Sequence, residues 1–346
     1  MNIHIHAATL LLAGFMIFGF RSQTGAQPGS DLRAAEARGA AVGMYIPEPS
    51  LAEGNLLYVA RGGEIVEVAK AVTKTGSERK LTIPRMDKIT AIHPAGDLAF
   101  VTGGIPGKTG EVALVNLKDW KVESQPGEPL FTDLATSLDR AGSNIIVGSN
   151  DKTAKIIPLL QNSLPSSGLP QWDRCKELLG HTGSILSVSA GPRIIATGSY
   201  DRTIRIWNLE SGELLRTLTN HAGPVNALSF TSGSKETPVW LVSGSDDKTV
   251  RVWDPSNGRL MRIIREHDGR ILTLRIPQTL RIPETREATI LSGASDGRVR
   301  EITLDSGEVK IAAEFPGRWI YSIAAAAPNR IVAVGTDTGV EWIARK

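Results

Sequence analysis

A single cysteine, Cys175, occurs in 346 residues, which excludes an intrachain disulfide. Beyond the N-terminal region no segment carries the 3.6-residue apolar period of a long amphipathic helix, which argues against a helical bundle. No run of five or more like charges occurs, and the formal net charge is only +3, so nothing in the charge pattern calls for nucleic acid. The apolar run Ala7 to Phe20 has 14 residues, fewer than the roughly 20 of a membrane-spanning helix. No Asn-x-Ser/Thr acceptor is present, so a glycosylated secreted protein gains no support.

Turn formers are abundant instead, with 35 Gly and 19 Pro, as expected of an all-β chain. Hydrophobic residues make up 41% and charged residues 22%, enough to bury a core. The length accommodates two ordinary domains or one large β barrel or propeller. A repeat decides between them. Gly198-Ser-Tyr-Asp-Arg-Thr-Ile-Arg-Ile-Trp207 returns 46 residues later as Gly244-Ser-Asp-Asp-Lys-Thr-Val-Arg-Val-Trp253, and each copy follows a His-x-Gly, at His181 and His221.

Weaker copies extend the series. Turn aspartates fall at 151, 201, 247 and 296, with spacings of 50, 46 and 49 residues. Seven units can be traced, each a set of short strands bounded by Gly, Asp or Asn turns. From residue 27 onward, 320 residues over seven units gives about 46 per unit, the period of four-stranded antiparallel blades. The expected fold is all-β, a seven-bladed β-propeller over 42–346, because radial packing buries the blade faces and leaves only short outer edges. The seventh unit ends after its third strand, so the N-terminal side is expected to supply its fourth, around Val42 to Ile46.

The N-terminal run suits a signal peptide over 1–26, with Thr24 and Ala26 at the −3 and −1 positions and residues 27–41 as a linker. The expected location is therefore exported, periplasmic or extracellular. The alternative is a membrane anchor formed by residues 7–20. No Cys lies near the cleavage site to carry a lipid.

His181, Thr197, Asp201 and Trp207 resemble the WD40 repeat, as do His221, Ser243, Asp247 and Trp253. His267, Ser292 and Asp296 match in part, with Ile302 in place of Trp. The resemblance implies a structural chain in each well-matched blade, from Trp through hydroxyl and His to Asp. It also implies a protein- or peptide-binding end formed by two sets of loops, those entering the first strands and those joining the second to the third. Mapped onto this chain, that end presents Ser184, Pro224 and Arg270 after the His-x-Gly turns, and Tyr200 and Asp246 in the turns that follow the second strands.

Other motifs read as scaffold. A hydroxyl, His and Asp also make a catalytic triad, but duplication across units favours a structural network. Gly103 to Thr109 lacks the spacing of a phosphate-binding loop, since Thr102 stands where its first glycine would be. Asp337 to Gly339 and Ser295 to Gly297 offer too few oxygens for calcium. Arg251, Arg259, Arg262 and Arg265 read as a solvated face, and His93, before Pro94-Ala-Gly-Asp97, as a surface loop residue. No catalytic, cofactor-binding or metal-binding residue is assigned. The expected function is a non-catalytic interaction scaffold without nucleic acid. One alternative is an exported hydrolase or oxidoreductase using the central channel, and another is a self-associating envelope protein.

Overall fold

The computed structural model describes residues 42–45, 56–69, 79–160, 168–231, 239–276, 289–326 and 330–343. The signal and linker expectations for 1–41 lie outside them. Seven antiparallel sheets succeed one another along the chain, and in each the spatial order of strands is their chain order. Six sheets have four strands; the seventh shows three among the described residues, Ile320–Ala326, Arg330–Thr336 and Gly339–Trp342. The one helical element described is a 3-10 turn, Trp172–Arg174, and among the described residues no helix is long and apolar enough to cross a membrane.

The innermost strands are Val42–Tyr45, Lys88–Ala95, Ala135–Ala141, Ile185–Ala190, Val225–Phe230, Ile271–Arg275 and Ile320–Ala326. Each packs against the next, and the seventh packs against the first, so the ring is closed. This corrects the expected place of Val42: it opens the inner strand of blade one, paired with Leu56–Arg61, and does not complete blade seven. Strand counting from the C-terminus could not distinguish the inner edge of one blade from the outer edge of its neighbour. The register can, because every inner strand carries the same irregularity after its first or second residue, and in blade one it falls after Val42.

His93 is also placed differently from expectation. The inner strand of blade two runs on through Pro94 to Ala95, so His93 is a strand residue. Pro is tolerated there because the innermost strand has a free edge, where a missing N–H breaks no ladder. The Gly103 to Thr109 segment is a tight hairpin joining Leu98–Ile105 to Thr109–Asn116.

Blade faces meet in apolar layers. Second strands are apolar on both faces because both are covered: Ile145 and Val147 pack with blade two, while Ile146 packs with blade four. Between successive blades one contact recurs. A Cβ added at Gly148, Gly198, Gly244 or Gly293 would lie 2.6, 2.7, 2.4 or 2.5 Å from a methyl of Ile185, Val225, Ile271 or Ile320. Each methyl belongs to the first inner-strand residue of the next blade. Glycine on the second strand thus makes room for a β-branched side chain from its neighbour. Blade two carries Thr102 at this register position, and the facing residue shrinks to Ala135.

Gly244→Ala is expected to cost about 1–3 kcal/mol through overpacking, while Gly127→Ala, with open space around it, should be near neutral. Urea unfolding of these two variants and of Gly244→Ala/Ile271→Ala checks the contact. The double variant should lose less than the sum of its singles.

Candidate functional site

In blade four, Trp207 Nε1 donates to Thr197 Oγ1 at 2.9 Å, His181 Nε2 lies 2.8 Å from the same oxygen, and His181 Nδ1 lies 2.8 Å from Asp201 Oδ2. Blade five repeats this with Trp253, Ser243, His221 and Asp247 at 2.8, 2.8 and 2.7 Å. Indole N–H can only donate, so the hydroxyl accepts from it and donates its own proton to Nε2. Nδ1–H then donates to the carboxylate. The Asp also accepts backbone N–H groups from Thr182 and Thr203, or from Ala222 and Thr249, tying the entry loop to the turn. Burial opposes ionisation of Asp201 and Asp247, yet hydrogen bonds from His and Thr hold both carboxyls well below the usual range. Burial lowers the His221 pKa in spite of Asp247.

Blade six is different. His267 Nε2 lies 2.8 Å from Ser292 Oγ, but Nδ1 is buried without a partner. Asp296 turns to Arg300 instead, at 2.8 Å, and Ile302 occupies the Trp position. The tetrad is therefore not closed here. Burial and the Arg300 charge push His267 down to about 4. In blade five the equivalent cation, Arg251, reaches Asp247 at 3.2 Å while His221 keeps its bond. Arg251 is buried, which corrects its reading as part of a solvated face. Arg262 also departs from that reading, since it donates to the Asp305 and Ser306 carbonyls of blade six.

Blades two, three and seven fasten their entry segments by other means, which the sequence reading missed. Counting from the shared register, blade three carries Phe131, Val147 and Ile157 where blade four has His181, Thr197 and Trp207. The three pack in one apolar cluster, and the Lys155 ammonium sits 5.4 Å above the Phe131 ring. Blade two places Arg85 at the His position, with Nε 3.0 Å from the buried Glu111 carboxylate on the third strand. Burial raises the Glu111 pKa, and Arg85 pulls it back. Blade seven has the analogous ion pair Arg318–Glu341. An Arg before the inner strand and a Glu on the third strand is the sequence signal that could have found both.

The five candidate partner residues lie at one end of the ring. Ser184 and Tyr200 are joined through Tyr200 N–H to Ser184 O at 2.8 Å, and Pro224 and Asp246 in the same way at 2.9 Å. Arg270 O accepts from Ser295 N–H at the equivalent place. Ser184 and Pro224 are thus backbone struts, and the Ser184 hydroxyl is turned to Asn150 O at 3.1 Å. The side chains brought together are Tyr200, Asp246 and Arg270. Asn226 Nδ2 donates to Asp246 Oδ1 at 2.7 Å, and Arg270 Nη1 lies 3.7 Å from Asp246 Oδ2. Burial, opposed by Asn226 and Arg270, raises the Asp246 pKa; burial and the Asp246 charge raise that of Tyr200. The described residues contain no group of three or more His, Cys, Asp or Glu able to hold a metal.

Asp201→Ala or His181→Ala is expected to lower stability by about 1–3 kcal/mol, because each leaves buried partners unpaired; chemical denaturation measures this. His267→Phe/Ser292→Val should cost less than the sum of its singles, since it recreates the apolar set of blade three. It should also change the acid response. The folded pKa of His267 is about 4, against about 6.5 in an unfolded chain. As pH falls below 6.5 the unfolded chain takes up the proton first, so stability is lost between 6.5 and 4. The melting temperature of the native chain should fall over that window, and the fall should be smaller in the double variant.

Comparisons with known proteins agree with this architecture. The family described as "WD domain, G-beta repeat" matches residues 172–208 and 212–254, which are the first three strands of blades four and five, each with the outer strand of the blade before it. An uncharacterized WD repeat-containing protein of Synechocystis is 28% identical over 41% of this chain and 38% of its own length. A probable E3 ubiquitin ligase complex SCF subunit of Talaromyces marneffei is 49% identical over 14% of this chain and 8% of its own. U3 small nucleolar RNA-associated protein 13 of Saccharomyces cerevisiae is 40% identical over 22% of this chain and 10% of its own. The matched stretches thus span well under half of each relative. With two intact fasteners, a third partly kept and seven blades in a closed ring, the chain belongs to the WD40 repeat proteins.

Proposed function

We propose that the chain is a non-catalytic platform that captures a protein or peptide at the end of the ring carrying Tyr200, Asp246 and Arg270. The observation that carries this is the Arg270–Asp246 pair. It spans blades five and six at 3.7 Å, with Arg270 Nη1 buried and without a hydrogen bond. The Arg270 side chain is still 30% exposed, so its other guanidinium N–H groups can donate to an acceptor supplied by a partner, and Arg and Tyr are favoured at the centres of interfaces. Relatives whose names place them in a ubiquitin ligase complex or in association with an RNA support a role in assemblies of some kind. They do not name the partner of this chain. The N-terminal apolar run supports presentation of the platform outside the membrane, after export or on an anchor.

The test is affinity capture from the native envelope fraction with the intact chain, Arg270→Glu and Tyr200→Ala. A partner retained by the native chain and lost at least about tenfold in Arg270→Glu supports the reading. Equal retention by both variants, with melting temperatures unchanged, overturns it. N-terminal mass analysis of the exported chain should begin at Gln27 if the signal is removed.

A further inference from the structure

The shared register also defines a layer at the opposite end of the ring. Four residues on from the inner-strand residue that precedes the shared irregularity stand His93, Asp139, Ser189, Ser229, Arg275 and Ala324, in blades two to seven. This position lies roughly 13 Å along the strands from the loops that carry Arg270. Three of the six are ionisable, although the inner strands are otherwise largely apolar or hydroxylic.

Asp139 is held in place. Its Oδ2 accepts Ala190 N–H at 2.8 Å and Ser189 Oγ–H at 3.3 Å, and its Oδ1 accepts Arg140 N–H at 2.8 Å. Ser189 is fixed in turn by Phe230 N–H at 3.1 Å. Phe230, Ser189 and Asp139 thus form a hydrogen-bonded line across blades five, four and three. At its end, His93 Nδ1 lies 3.7 Å from Asp139 Oδ1, and both side chains remain open to solvent at 27% and 28%. The Asp139 charge orients the Nδ1–H side of the ring toward itself and leaves Nε2 as an acceptor. Burial, partly offset by Asp139 and reinforced by Arg275 and Arg140, lowers the His93 pKa, so the ring is neutral near pH 7.

Arg275 faces this group from blade six: crowding by the surrounding ring lowers its pKa, the Asp139 charge opposes that, and its own charge acts on His93. It is exposed and makes no hydrogen bond or ion pair among the described residues. Arg140, the other cation here, is committed through Nε to Gly142 O. The groups left open are therefore five guanidinium N–H donors on Arg275 and one lone pair on His93. Their complement is an oxyanion that also carries a hydroxyl proton.

We propose that this end of the ring binds a small protonated tetrahedral oxyanion of the phosphate type, with Arg275 donating to its charged oxygens and His93 Nε2 accepting from its hydroxyl. Guanidinium pairs well with such oxygens. Sulfate has no proton at neutral pH and would set an oxygen lone pair against that of Nε2. The site is separate from the partner-binding end proposed above and does not depend on it.

The test is titration of the intact chain with inorganic phosphate, sulfate or acetate, monitored by calorimetry and by the His93 ring resonances. Saturable phosphate binding is expected, weakened at least about tenfold by Arg275→Gln and unchanged by Arg270→Gln. Sulfate should bind measurably more weakly than phosphate, and His93→Phe should reduce that preference. Absence of phosphate binding, or equal binding by Arg275→Gln with its melting temperature retained, overturns the proposal. So does equal affinity for phosphate and sulfate.

Discussion

The close approach of a β-branched side chain to a glycine backbone, repeated from blade to blade, is the contact on which the ring depends. A four-stranded sheet has two apolar faces and cannot bury both alone. Gly148, Gly198, Gly244 and Gly293 let Ile185, Val225, Ile271 and Ile320 come close enough to seal each joint. Where Thr102 fills the place of glycine in blade two, the facing residue is Ala135. Volume is conserved across the interface while the residues on both sides change, as close packing requires.

Within blades two to seven a second constraint operates: the entry loop must be tied to the strands that follow it. The chain meets it in three ways. Blades four and five use a hydrogen-bonded tetrad, blade three an apolar cluster under Lys155, and blades two and seven an Arg–Glu pair. The first two satisfy or remove every polar group involved. Outer strands add a further tie. Arg216 and Arg262 donate to carbonyls in the outer turn of the next blade, as Lys176 does to Glu210 O. These cations look like ordinary surface charge in the sequence, but each joins two blades.

The ring was legible because the Gly-Ser-x-Asp…Trp copies carry both constraints at once. Their glycine serves the joint between blades and their Asp, His and Trp serve the fastener. Blades two and seven were legible only as strands, since a fastener made of Arg85 and Glu111 shares no residue type with one made of His181 and Asp201. Val42 and His93 were misplaced for a related reason. Alternation shows that a strand exists, but its place in the sheet depends on pairing, which four residues or a Pro-x-Gly turn do not reveal. Of the candidate partner residues, chemistry alone could not separate Ser184 and Pro224, which hold backbone, from Arg270, which leaves a buried nitrogen unbonded.

Blade six illustrates how an all-or-none fastener constrains change. The polar set of blade four and the apolar set of blade three are each complete, but any route between them by single replacements crosses states with orphaned groups. Blade six occupies one such state: Ile302 stands at the Trp position, and with Asp296 turned to Arg300 the His267 Nδ1 is unbonded. In mutational terms the three positions are strongly epistatic. A replacement harmful in blade four can be neutral in blade six, and the same change can even be favourable once its partners have altered.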